Sequence, residues 1–225
     1  MNLELIGTRT CPFAQRARIV LEHKRVPYTV TEASPARLET LSPSGKVPLL
    51  CVDGRDVVFE SSAICEFIDE THPPPLHPAD PWRRARDRGW IAFATDLQLG
   101  LGRMAFAETE AAFGAACGDL LAQLGRLEAQ LGAGPHFDGT AFSLVDAAFA
   151  PFWMRLALLQ ANARLHALDA LPRCTAWSRH LLDLPAVRDS VDADFPARFR
   201  TRVAASGGYG ARRFANGVMP DRAAS

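Results

Sequence analysis

The chain has 225 residues, 48% of them hydrophobic, which supplies cores for one large domain or two smaller ones. Lys plus Arg and Asp plus Glu both number 25, so no bulk charge field points to nucleic acid or a membrane surface, and neither is expected as a partner. No apolar run approaches a membrane span and no basic segment leads an apolar leader, so a cytoplasmic protein is expected.

The first seventy residues alternate strand and helix patterns. Asn2 to Gly7 reads as a short strand, and Phe13 to Lys24 places Phe13, Ala17, Val20 and Leu21 on one helical face. Pro27 to Thr31 is a second β-prone run, followed by a helical turn from Pro35 to Leu41. Val47 to Val52 and Asp56 to Phe59 are strands joined by the turn Asp53-Gly54-Arg55, a hairpin signal. A helix from Ser61 or Ser62 to about Thr71 closes a βαβαββα order, an α/β layer arrangement.

Five prolines between His72 and Pro81 cannot continue a helix and read as a stiff linker. Beyond it only helices are expected: Trp82 to Met104, Glu108 to Leu131, a buried helix over Ala147 to Leu159, and shorter ones over Leu171 to Leu182 and Pro185 to Val191. Ser143-Leu144-Val145-Asp146 has the form of a capping box, with Phe142 placed to staple against Ala147. The boundaries are 1–72, a linker over 73–81, a helical domain over 82–205, and a Gly-, Ala- and Arg-rich, partly ordered tail over 206–225.

The five cysteines are scattered and contain no Cys-x-x-Cys pair, which disfavours a disulfide framework or a zinc site; no metal is expected. Cys51, Cys65, Cys117 and Cys174 sit in packing patterns. Cys11 differs. Thr10-Cys11-Pro12 joins a strand to a helix, with proline at the favoured first helical position. The sulfur therefore lies beside free N–H groups and the positive end of a helix, which favours a reactive thiolate, and Arg16 follows one turn later.

Two further segments belong with Cys11. In Ser44-Gly45-Lys46-Val47-Pro48 a glycine turn leads into a strand whose second residue is proline; a cis bond there would expose the Val47 backbone to an extended ligand. In Phe59-Glu60-Ser61-Ser62 a strand ends as a helix opens, so Ser61 offers an N–H and a hydroxyl to a carboxylate while Glu60 accepts from an ammonium group. Together they suit an amino-acid head group.

Cys-Pro-Phe-Ala-Gln-Arg, Gly-Lys-Val-Pro and Glu-Ser-Ser-Ala-Ile, in this order and before a helical half with a Ser-x-x-Asp box, resemble the cytosolic glutathione S-transferase superfamily over the whole chain. Cys-Pro-Phe-Ala is similar to its cysteine-type omega class and related bacterial members, whereas tyrosine and serine types carry a hydroxyl at that position. The resemblance implies a thioredoxin-like N-terminal domain, an all-helical C-terminal bundle, glutathione as co-substrate and a homodimer. It implies Cys11 as catalytic residue, Phe13 packing near the glutathione thiol, and Val47 with cis Pro48 pairing with the cysteinyl portion. Glu60 and Ser61 would hold the γ-glutamyl end. Lys46, with Arg37 as a second candidate, would reach the glycyl carboxylate.

Ala14 stands where a dithiol oxidoreductase keeps its resolving cysteine, so a mixed disulfide on Cys11 needs an external thiol, and glutathione is the obvious one. Thiol transfer, deglutathionylation or dehydroascorbate reduction on a small electrophile or disulfide is the expected chemistry. A non-catalytic binding or regulatory module, or a substrate-specific isomerase or ether-cleaving member, are the alternatives. The second substrate is expected between the domains, near Trp90, Phe93, Met104 and Phe106.

Overall fold

The computed structural model describes residues 1–160 and 170–216. In the N-terminal half the order is β1 (Leu3–Gly7), α1 (Pro12–Lys24), β2 (Thr29–Glu32), α2 (Pro35–Leu41), β3 (Leu49–Val52), β4 (Asp56–Phe59) and α3 (Ser61–Thr71). The sheet runs β2-β1-β3-β4, with β1 and β2 parallel and the remaining pairs antiparallel. Side chains alternate across β1: Leu3 and Leu5 join the large core under α1 and α3, while Ile6 turns to the face where Leu38 and Leu41 of α2 pack. Gly7 is required at the end of β1, because a Cβ there would meet that of Ala14 at 2.9 Å and force α1 off the sheet.

The helical half comprises α4 (Pro81–Ala105), α5 (Glu110–Gln130), α6 (Leu144–Gln160), α7 (Pro172–Asp183), α8 (Pro185–Asp189), α9 (Phe195–Ala205) and α10 (Tyr209–Asn216). Pro81, read as the last linker residue, is the first residue of α4, and the Asp80 carboxylate caps it by accepting from the Arg83 N–H at 2.8 Å. The capping box forms as its spacing predicts: the Asp146 carboxylate accepts from the Ser143 N–H and hydroxyl at 2.9 and 2.7 Å, and the Ser143 hydroxyl accepts from the Asp146 N–H at 3.4 Å. Asp146, fully buried, also receives the Phe137 N–H and the Trp177 indole N–H. Phe142 stacks on His23 of α1, ring centroids 4.2 Å apart, and so packs across the two halves.

Within the segment read as a tail, residues 209–216 are helix. Phe214 and Ala211 of α10 are buried, and a Cβ on Gly208 or Gly210 would strike the backbone of Ala107 or of Met104 and Ala105. Those two glycines let α10 lie against the end of α4. The remainder of the tail, 217–225, lies outside the described residues.

A buried ion pair fixes the linker. The Lys24 ammonium meets the Asp69 carboxylate at 2.8 Å, with side chains only 2% and 3% exposed. Lys24 also donates to the carbonyls of His72 and Pro74 at 2.5 and 2.6 Å, and Asp69 accepts from the N–H groups of Leu76 and His77 at 2.7 and 3.1 Å. Both charges are thus fully hydrogen-bonded, the condition under which burying a pair is tolerated. No described helix is long and apolar enough to cross a membrane.

Candidate active site

Two adjoining hollows open where the carboxyl end of β1 faces α4. The smaller, about 200 Å³, is lined by Phe13, Lys46, Val47, Pro48, Glu60 and Ser61, with Ser44, Ser62, Thr95 and Leu99 completing its wall. The larger, about 570 Å³, contains Cys11, Thr10, Gln98, Leu101, Phe106, Arg155, Phe199 and Arg202. Phe13, Val47 and Leu99 line both, so the hollows share a wall. Of the eight residues singled out from the sequence for glutathione and catalysis, all but Arg37 border one or the other.

Local sequence explains their placement. Cys11 is the N-cap of α1, extended at φ −71° and ψ 120°, with Pro12 at N1; its N–H is taken by the Thr8 carbonyl at 3.1 Å. Its side chain makes no capping bond, which leaves the sulfur half-buried and free at the helix end. The Val47–Pro48 peptide is cis, and the β3 ladder begins only at Leu49, so Val47 lies outside it at the pocket wall. Ser42 braces the loop before it, its hydroxyl accepting from the Lys46 N–H and donating to the Lys46 carbonyl, both at 3.0 Å. Gly45, at φ 65°, supplies the left-handed turn.

Glu60 is held at φ 69° and ψ 123°, a conformation that costs on the order of 1–3 kcal/mol for a residue with a Cβ. Such strain concentrates at binding sites. Here it lets β4 turn abruptly into α3, so that the unpaired first-turn N–H groups and the 7%-exposed Ser61 face the smaller hollow beside the Glu60 carboxylate. That hollow offers a carboxylate, a helix N-terminus and the Lys46 ammonium together.

Around Cys11 the charge is positive. Arg16 is buried over the Phe13 ring at 5.1 Å, donating to the Ala148 carbonyl at 3.1 Å and the Thr95 hydroxyl at 2.7 Å; one guanidinium nitrogen has no partner. Burial pushes it down to about 10, opposed by Cys65 and Cys11. Arg155 of α6, 2% exposed, donates to the Gln15 side-chain oxygen at 2.6 Å and the Thr10 carbonyl at 2.8 Å. Burial pushes it down to about 9, with Cys11 acting in the opposite direction. Both guanidiniums remain cations at neutral pH. The other thiols differ: burial pushes Cys65 up to about 12 and raises Cys117 and Cys174.

Several expectations change. Arg37 does not border the hollow; it pairs bidentately with Glu4 at 2.8 and 3.0 Å and holds that carboxyl down at about 2. Of the aromatics expected beside the second substrate only Phe106 lines the cavity. Met104 is core, and Trp90 packs against Phe93 and Phe137. The second hollow lies further along α4, where Gln98, Leu101, Gly102 and Ala105 share a face. Their i, i+3, i+4, i+7 spacing was a readable signal. Arg155, Phe199 and Arg202 had none, because they come from helices remote in sequence. Among the described residues no group of three or more His, Cys, Asp or Glu side chains is placed to hold a metal.

Residues 10–71 match the family model of the glutathione S-transferase N-terminal domain, and 80–180 that of the C-terminal domain. The chain belongs to the glutathione S-transferase family. It is 30% identical to a probable glutathione S-transferase of Glycine max over 214 residues, covering 89% of this chain and 95% of that one. Among solved structures, glutathione transferase Omega 3C of Trametes versicolor superposes with a TM-score of 0.75 at 28% identity, over 92% of both chains. A Tau class glutathione S-transferase from mango gives 0.77 at 27% identity, over 90% of this chain and 98% of its own. Glutathione transferases of the Omega and Tau classes thus superpose on this chain about equally well.

Proposed function

We propose that this glutathione S-transferase is a cysteine-type, omega-like thiol transferase. Glutathione occupies the smaller hollow. Its γ-glutamyl carboxylate takes the Ser61 hydroxyl and N–H, its ammonium meets Glu60, its cysteinyl backbone runs beside Val47, and Lys46 receives the glycyl carboxylate. The Cys11 thiolate attacks the glutathione sulfur of a mixed disulfide. A Cys11–glutathione disulfide forms and the partner thiolate leaves, taking a proton from solvent. A second glutathione thiolate then attacks the glutathione sulfur of that intermediate, releasing glutathione disulfide and restoring Cys11. The balance is one mixed disulfide and one glutathione consumed, one free thiol and one glutathione disulfide made. Deglutathionylation is this same reaction with a protein thiol as the leaving group; reduction of dehydroascorbate is a related use of the same thiol pair.

The observation that carries the reading is the position of Cys11, a free N-cap thiol in the larger hollow beside the shared wall. Glutathione disulfide and iodoacetamide, used separately on the native protein, are therefore expected to modify Cys11 first, a glutathione adduct appearing on the peptide that carries it. The other four thiols are buried or raised by burial. Equal labelling of Cys117 under native conditions would overturn the reactive role of Cys11.

Ser61→Ala removes a hydroxyl that would bond a charged group, so titration calorimetry should show glutathione affinity weakened by about 1–3 kcal/mol. The contact exists in ground and transition states alike, so KM should rise more than kcat falls. Unchanged affinity would remove Ser61 from the site.

We further propose a two-fold homodimer, an isologous contact in which each protomer presents the same patches. Phe59 and Trp82 are left 42% and 71% exposed in the single chain, apolar surface that a partner would cover. Sedimentation should give a mass twice the chain's 24.5 kDa. A single 24.5 kDa species at all concentrations would refute it.

A further inference from the structure

Two guanidinium groups converge on one residue of the larger hollow. Arg155 donates to the Thr10 carbonyl at 2.8 Å, and Arg202, from α9, donates to the Thr10 hydroxyl at 3.2 Å. The two cations disfavour each other, and Arg202 is one of the charges that lower Arg155. Among the described residues no carboxylate lies within ion-pair distance of either, and neither Asp nor Glu lines the cavity. Apart from Thr8, Thr10 and Cys11 the remaining surface is mainly apolar, with Leu99, Leu101, Phe106 and Phe199 among it. A fold that brings two cations together beside an apolar cavity and supplies no counter-charge is complementary to a ligand that brings one.

The two arginines differ in position. Arg155 is nearly fully buried and lies behind the Thr10–Cys11 backbone, sandwiched against the Phe195 and Phe199 rings at 5.0 and 5.8 Å. Its charge is spent on the protein's own carbonyls and on the Cys11 side. Arg202 is exposed, with one hydroxyl as its hydrogen-bond partner, and stands at the cavity rim.

We propose that the larger hollow selects amphipathic anions: second substrates with an apolar, ring-sized body and a carboxylate or comparable acid group, the acid received by Arg202. The inference rests on the glutathione reading only in assigning this hollow to the second substrate. It is a statement about substrate class. In the thiol-transfer reaction the favoured mixed disulfide joins glutathione to an aryl or alkyl thiol that itself carries an acid.

The test uses unreactive thioethers that span both hollows, S-(4-carboxybenzyl)glutathione and its neutral isostere S-(4-carbamoylbenzyl)glutathione, titrated calorimetrically at low salt. The acid should bind about tenfold more tightly than the amide, and the difference should shrink as salt screens the rim charge. In Arg202→Gln the preference should fall to near one, and Arg202→Lys should restore part of it, since the charge returns without the planar fork. Equal binding of the pair to the natural protein overturns the proposal, as does a preference that survives Arg202→Gln. Glutathione alone is titrated in parallel. If it fails to bind, the glutathione reading falls separately, and the anion preference is then read from 4-biphenylcarboxylate against 4-biphenylcarboxamide. Equal or absent binding of that pair also overturns the proposal.

Discussion

Cys11→Ala is expected to slow reduction of a glutathione mixed disulfide by roughly 10³-fold or more, while glutathione affinity changes by less than about 1 kcal/mol. The two effects separate because the two functions use different atoms. The bond-forming sulfur belongs to Cys11 in the larger hollow, whereas Lys46, Val47, Glu60 and Ser61 border the smaller one. No other described thiol can substitute, since Cys65 is buried and pushed up to about 12, and position 14 is alanine. Cys11→Ser is informative in the other direction. A hydroxyl at this N-cap can donate to a glutathione thiolate, so thiol transfer should vanish while conjugation of an electrophile such as a nitroaryl halide rises. Stopped-assay kinetics for both reactions beside glutathione calorimetry decide the matter. Full thiol transfer in Cys11→Ala would overturn the mechanism.

The second large effect concerns the linker. Asp69→Ala should cost about 3–5 kcal/mol of stability, because it strands the Lys24 ammonium without a counter-charge and orphans the N–H groups of Leu76 and His77. For a chain of this size that lowers Tm by on the order of 10 °C. Lys24→Met should cost less, since the carboxylate keeps its two N–H donors. The double variant should be less damaged than the sum of the two, and chemical denaturation of all four proteins closes the cycle. Additive losses would show that the pair contributes nothing as a pair.

Much of this molecule was legible in its sequence wherever a local rule acts alone. Periodicity located the helices, and the spacing of Ser143 and Asp146 forecast a box whose bonds are present. The strand-to-helix junctions at Cys11 and Glu60 were visible because proline placement and helix-opening residues are themselves local. Other features were hidden because non-local packing decides them. Arg155 sits in a helix pattern with nothing to show that it reaches Thr10, 145 residues earlier. Arg37 could be matched to a ligand only until Glu4 was seen to hold it. Gly208 and Gly210 argued against order by propensity, yet their missing side chains are what allow α10 to dock on α4.

The way α1 meets α6 bears on modularity. Gln15 accepts from Arg155 and donates to Ser190 at 3.1 Å, Arg16 reaches Ala148, and one continuous apolar cluster runs from Leu3 to Phe214 through both halves. A thioredoxin-like half severed at the linker would expose the apolar face of α1 to water. The two halves match separate family models, yet this shared core predicts a single cooperative melting transition in calorimetry, with neither half persisting after the other unfolds.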